Sequence, residues 1–303
     1  MAEQGSDLRS DLHGVLSAVV TPFTADGEDI DEAGLRAVVE HTMDGGVHGL
    51  IPCGSTGEFA TLSPDERRRV VEVVAGAAGG RTPVVPQVGA MTTREASALA
   101  RHAESNGAAA VMVVAPYYEA LTVAEIADYY RRVADAVSIP VMVYNLPAAT
   151  GVNLAPADVA RMARDVPTIR YVKDTTGDLS QAAQLIHDHG DVLATFVGWD
   201  PLYFAALCEG AAGSVLGAAN IVPGQTAEIY ERVRAGRIAE ARQRWERLYP
   251  LMRFLVSGPY TPAVKAGVQL LGIAAAHCRA PVAAAEPERV AELEALLKDA
   301  GAL

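Results

Sequence analysis

Apolar residues gather in short continuous runs separated by longer stretches of helical period. Eight runs recur through the first two thirds of the chain, at 15–20, 49–52, 83–88, 110–114, 140–144, 169–172, 193–197 and 213–216. Continuous apolar runs of this length are the pattern of strands buried on both faces, as in parallel sheets covered by helices. The stretches between them carry helix start signals. Ser63-Pro64-Asp65-Glu66 reads as a capping box with proline at the first helical position, and Thr92 with Glu95 and Thr122 with Glu125 repeat the spacing. Gly45-Gly46, Gly79-Gly80 and Asn106-Gly107 mark helix exits.

Strand and helix alternating eight times predict an α/β fold, a closed (β/α)8 TIM barrel in preference to an open doubly wound sheet, which periodicity alone leaves open. From residue 223 the pattern is wholly helical, at 225–235, 237–256, 261–273 and 287–298. The expected organisation is a barrel carrying the active site over 1–222 and a C-terminal helical region over 223–303, packed on the barrel or on a neighbouring subunit.

Composition narrows the function classes. With 303 residues, half of them apolar, the chain can bury a full core. A net charge of −12 argues against nucleic acid or an anionic membrane as partner. No apolar run reaches the length of a membrane span, and the polar start MAEQGSDLRSDLHG is unlike a signal peptide, so a cytoplasmic protein is expected. Cys53, Cys208 and Cys278 lack metal or disulfide spacing and read as small core residues. His187-Asp188-His189 falls where a helical pattern runs out and reads as a cap or surface cluster rather than a metal site.

The candidate chemistry begins with a scarce residue type. The chain has only three lysines, Lys173, Lys265 and Lys298, among 25 basic residues. Lys173 ends an apolar strand. A guanidinium stays protonated, whereas a desolvated amine can lose its proton and attack a carbonyl to form an imine. The bland alternative is a strand-end lysine that reaches water or pairs with Asp174. Lys265, in the helical tail, reads as a helix-surface or packing lysine.

A barrel brings all its strand ends to one face. Residues just beyond the apolar runs include Thr21, Gly54-Ser55-Thr56-Gly57-Glu58, Gly89, Pro116-Tyr117-Tyr118, Tyr144-Asn145, Lys173-Asp174-Thr175, Gly198-Trp199-Asp200 and Gly217. The hydroxyls and backbone N–H groups of 54–57 suit a carboxylate or phosphate, although the same residues make ordinary turns. Tyr144 is either a packed aromatic or, opposite an imine-forming lysine, a proton-transfer group.

GSTGE at 54–58, PYY at 116–118, YNLPAATG at 144–151 and VKDTTGD at 172–178, in this order, resemble the dihydrodipicolinate synthase and N-acetylneuraminate lyase superfamily, as do 16–23 and 213–220. The resemblance implies a class I, metal-free and cofactor-free pyruvate lyase, a homotetramer acting on small molecules. Lys173 aligns with the imine-forming lysine, Tyr144 with the proton-shuttling tyrosine, and Ser55 and Thr56 with the hydroxyls that hold the carboxylate. Tyr118 matches an aromatic that relays protons across a dimer interface. Gly198 and Val215 match positions lining the pyruvate end, and Thr175, Trp199 and Asp200 are candidate contacts to the distal substrate chain.

Departures from the pattern narrow the substrate. Ala149 stands where the synthases carry an arginine that grips the carboxylate of aspartate semialdehyde, a contact alanine cannot replace. Ser55, Ala148 and the Trp199-Asp200 pair look more like sugar-acid lyases, but Pro201 and Gly217 depart from the neuraminate lyases. The expected reaction is therefore reversible aldol cleavage of a 2-oxo-3-deoxy acid to pyruvate and an aldehyde. Dihydrodipicolinate synthesis and a dehydratase or hydratase-aldolase through the same imine are the alternatives, and a non-catalytic barrel binding a 2-oxo acid is the rival of another class.

Overall fold

The computed structural model describes residues 12–303, so most of the polar N-terminal stretch read above lies outside the described residues. Seven parallel strands form one sheet: β1 (Gly14–Ser17), β2 (Gly49–Leu50), β3 (Val111–Val114), β4 (Val141–Asn145), β5 (Ile169–Asp174), β6 (Ala194–Val197) and β7 (Gly213–Leu216). Their order is β2-β1-β7-β6-β5-β4-β3. The expected eighth strand, 83–88, is present only as two parallel bridges, Leu50↔Val84 and Gln87↔Met112. Its prolines explain the difference, because Pro83 and Pro86 have no N–H to donate to a ladder. Their carbonyls still accept, from Leu50 N at 2.9 Å and Met112 N at 2.9 Å. The segment thus joins β2 to β3 and closes the barrel.

Local sequence accounts for the helices around it. Ser63 and Glu66 form the reciprocal capping box of helix Pro64–Ala78, and Thr122 and Glu125 do so for Val123–Ala134. Helix Thr93–Ser105 has only half of the device, with Thr92 accepting from the Glu95 N–H. Helix Pro64–Ala78 stops at Gly79, whose φ of 55° is left-handed.

Alternation along the strands divides the core. Met112, Met142, Tyr171 and Phe196 fill the barrel interior, while Val113, Val143 and Val172 face the helices. Helix Pro223–Arg234 packs on β1 and on helix Glu32–Asp44. Helices Ile238–Val256, Tyr260–Leu270 and Pro287–Asp299 contribute Leu251, Leu255, Val264 and Leu297 to the same apolar cluster as Val15, Leu35 and Val74. The tail thus shares its core with the barrel, and its helix Tyr260–Leu270 begins at the barrel mouth.

Candidate active site

Strand β5 delivers the lysine. Its two-residue period sends Tyr171 and Lys173 inward and Val172 and Asp174 toward the helices. Lys173 is 5% exposed, and its register partners are Tyr144 on β4 and Phe196 on β6. Its Nζ lies 3.9 Å from the centroid of the Tyr144 ring, and the Tyr144 hydroxyl is 3.3 Å from Ser55 Oγ.

Asp174 is not the partner of Lys173. On the outer face its carboxylate accepts from Asn145 Nδ2 at 3.1 Å, Thr176 Oγ1 at 2.8 Å and Gln181 Nε2 at 3.3 Å. Asn145 also donates to Asn153 Oδ1 at 2.9 Å and accepts from Leu154 N at 3.1 Å. These bonds tie the segment after β4 to the end of β5. Burial pushes the Asp174 carboxyl up from its ordinary value, against the pull of these donors.

The Ser55-Thr56 loop is bracketed by two left-handed non-glycine residues, Cys53 at φ 57° and Glu58 at φ 55°. Such a conformation costs about 1–2 kcal/mol per residue, so surrounding contacts must hold it. Thr21 Oγ1 donates to the Gly57 carbonyl at 2.9 Å, and a Cβ on Gly57 would approach Val19 O to 2.9 Å. Gly198 is required in a similar way, since a Cβ there would sit 2.6 Å from Lys173 Cε.

Two residues beyond Gly198, Asp200 is fully enclosed and accepts a hydrogen bond from the Tyr260 hydroxyl. Burial pushes its carboxyl up to about 6, opposed by the Tyr260 hydroxyl, backbone N–H donors and the Lys173 charge. A Cβ on Gly217 would collide with the Tyr260 ring and hydroxyl, so glycine at 217 and tyrosine at 260 go together.

One cavity of about 270 Å³ joins these groups. Of the sequence-predicted residues it is lined by Ser55, Thr56, Tyr144, Lys173, Thr175, Gly198, Trp199, Asp200 and Val215. Thr175 Oγ1 is buried there with no hydrogen-bond partner among the described residues. Tyr118 is not brought to the cavity by this chain alone: it is 85% exposed, in a surface groove with Met91 and Leu121. The cavity is completed by Val256, Gly258 and Tyr260, which sequence reasoning missed. Tyr260 lies 60 residues from Asp200 in a helical tail with no local chemical signal.

Of the two readings of Lys265 the structure takes packing rather than helix surface: the side chain is 1% exposed and paired with the buried Glu58. Cys208 is exposed rather than in the core. The His187–His189 cluster ends helix Leu179–Asp188, with His187 bonded to Glu209 at 3.1 Å. Among the described residues no group of three or more His, Cys, Asp or Glu could hold a metal ion, and no helix is long and apolar enough to cross a membrane.

Comparison with known proteins agrees with this architecture. Residues 11–300 match the Dihydrodipicolinate synthetase family. A 4-hydroxy-tetrahydrodipicolinate synthase of Methanopyrus kandleri is 36% identical over 96% of this chain and 97% of its own. An uncharacterized DapA-like lyase of Halobacterium salinarum is 39% identical over 96% of this chain and 95% of its own. Among solved structures, a prophage protein of the dihydrodipicolinic acid synthase family from E. coli K12, in complex with pyruvate, superposes with a TM-score of 0.92 at 30% identity, covering 96% of this chain and 99% of its own. A match over nearly the whole chain, on a closed barrel with its lysine and tyrosine side by side, leads to one conclusion: the chain belongs to the dihydrodipicolinate synthetase family.

Proposed function

We propose that this protein reversibly cleaves a 2-oxo-3-deoxy acid to pyruvate and an uncharged, hydroxyl-bearing aldehyde. Family membership makes the chain a class I carbon–carbon lyase. The steps follow from the site. Lys173 Nζ attacks the 2-oxo carbon and water leaves, giving a protonated imine. Ser55 and Thr56 hold the carboxylate. Tyr144 takes the proton of the C4 hydroxyl, the C3–C4 bond breaks, and its electron pair passes into the imine as an enamine while the aldehyde departs. Protonation of the enamine and addition of water then release pyruvate and restore the amine. The imine is the electron sink, so the scheme requires neither metal nor other cofactor.

The backbone at Gly198 and Val215 lines the pyruvate end, while Thr175, Trp199 and Asp200 meet the distal chain. In an assembled oligomer Tyr118 would relay protons into a neighbouring site. A cytoplasmic homotetramer fits this reading, and three free cysteines suit a reducing compartment.

One observation carries the choice of aldehyde. Among the described residues Lys173 and Asp200 are the only charged side chains lining the cavity, so Asp200 is its one carboxylate. A second carboxylate on the substrate would meet Asp200 with no cation to receive it, whereas hydroxyls can donate to Asp200 and to the unpartnered Thr175. The second reading, dihydrodipicolinate synthesis, is favoured by the names of relatives such as the Methanopyrus kandleri synthase. Ala149, exposed and outside the cavity lining, weighs against it.

Intact mass after pyruvate and borohydride treatment tests the mechanism. We expect a single reduced pyruvate adduct on wild type and none on Lys173→Ala; no adduct on either would move the protein to the non-catalytic binding class. Pyruvate release from hydroxylated 2-oxo-3-deoxy acids, compared with pyruvate consumption with aspartate semialdehyde, then decides the substrate. Turnover of the semialdehyde alone would replace the aldolase reading by the synthase.

A further inference from the structure

The second buried lysine has no part in the chemistry above. We propose that Lys265 is a positioning residue that acts through Glu58 to hold the Ser55-Thr56 loop in its carboxylate-binding shape. This rests on the preceding reading, in which that loop receives the substrate carboxylate.

Glu58 closes the loop. Its backbone N–H donates to the Ser55 carbonyl at 3.0 Å, so the placement of Glu58 sets that of Ser55. Its left-handed φ of 55° is one that a residue with a side chain adopts only when other contacts impose it. Those contacts come from the C-terminal region. The Glu58 carboxylate pairs with Lys265 Nζ and accepts the Arg279 backbone N–H at 3.1 Å.

Lys265 is itself fixed from two further sides. It donates to the His277 carbonyl at 2.7 Å and lies 4.3 Å from the centroid of the Phe23 ring. Arg279 covers the same ring at 4.4 Å and pairs with Glu66 at 2.7 Å. A buried ion pair is weak evidence for stability, because packed apolar side chains do as well. What it supplies is a fixed position for both groups, here at the end of a strained loop. The same helix, Tyr260–Leu270, also presents Tyr260 to Asp200, so it supports the site at a second point.

The test uses the full chain with pyruvate as probe. Borohydride trapping is titrated with pyruvate for wild type, Lys265→Met, and the double variant Glu58→Gln with Lys265→Met, which removes both charges of the pair together. Thermal midpoints are recorded alongside. We expect the pyruvate concentration for half-maximal adduct to rise about tenfold in both variants, the loss of one charged hydrogen bond. Adduct formation at saturating pyruvate should stay close to wild type, and Lys298→Met, a surface variant, should change neither.

If Lys265→Met does not fold, the double variant decides. A lowered thermal midpoint with unchanged half-saturation, or unfolding of both variants, would make the pair structural and overturn the inference. Absence of an adduct on wild type would overturn the proposed function and this inference with it. An adduct with unchanged half-saturation overturns this inference alone.

Discussion

Asp200 shows how one residue trades stability for a site. Its carboxyl is pushed up to about 6 by burial, from an ordinary value of 3.8. Well below pH 3.8 it is protonated in folded and unfolded chains alike and costs nothing. As pH rises through 6 the unfolded chain has already released its proton, so the folded state must carry a buried charge, a loss of roughly 3 kcal/mol. Asp200→Asn can still accept from Tyr260 and carries no such charge. Denaturant midpoints should therefore show little gain for Asp200→Asn at pH 4 and most of that amount at pH 8. Equal gains at both would mean that the carboxylate is not disfavoured by its surroundings. At this scale Lys173 was legible because lysine is rare in this chain and this one ends an apolar run. Lys265 is equally rare, yet the sequence cannot tell a buried helix lysine from an exposed one. Its partner lies more than two hundred residues away.

Strand β5 works as an element because one period serves two purposes. Its inward residues place the amine beside Tyr144, and its outward Asp174 gathers Asn145, Thr176 and Gln181. Removing the Asp174 carboxylate leaves those donors in the interior without their acceptor, at about 1–3 kcal/mol for each one that water cannot reach. Asp174→Ala should lower stability by roughly 3 kcal/mol in urea titration, and a loss under 1 kcal/mol would show that the network relaxes freely. Alternation was readable at 169–174, and it excludes a Lys173–Asp174 pair once one face is known to be the interior. The segment 83–88 shows the converse. Its apolar character predicts a strand, but its prolines reduce the ladder to bridges while leaving the carbonyl side of the pairing intact.

The whole molecule raises the question of assembly. Tyr118 is exposed and does not line the cavity in one chain, and its proposed relay needs a second copy to meet it. Sedimentation velocity should find a species near four times the 31.8 kDa chain. A clean monomer with full activity would remove Tyr118 from the mechanism. Sequence alone determined the strand–helix alternation, the helix starts and the convergence of strand ends, because each depends on residues close together in the chain and on the geometry of a barrel. It also brought Lys173, Tyr144 and the hydroxyl loop to one mouth. Tertiary structure alone decided that Tyr260 joins the lining of that mouth, that Lys265 stands behind Glu58, and that Asp200 is the one carboxylate lining the cavity among the described residues. Those facts rest on contacts between distant segments, and no local pattern encodes which buried charge will meet which partner.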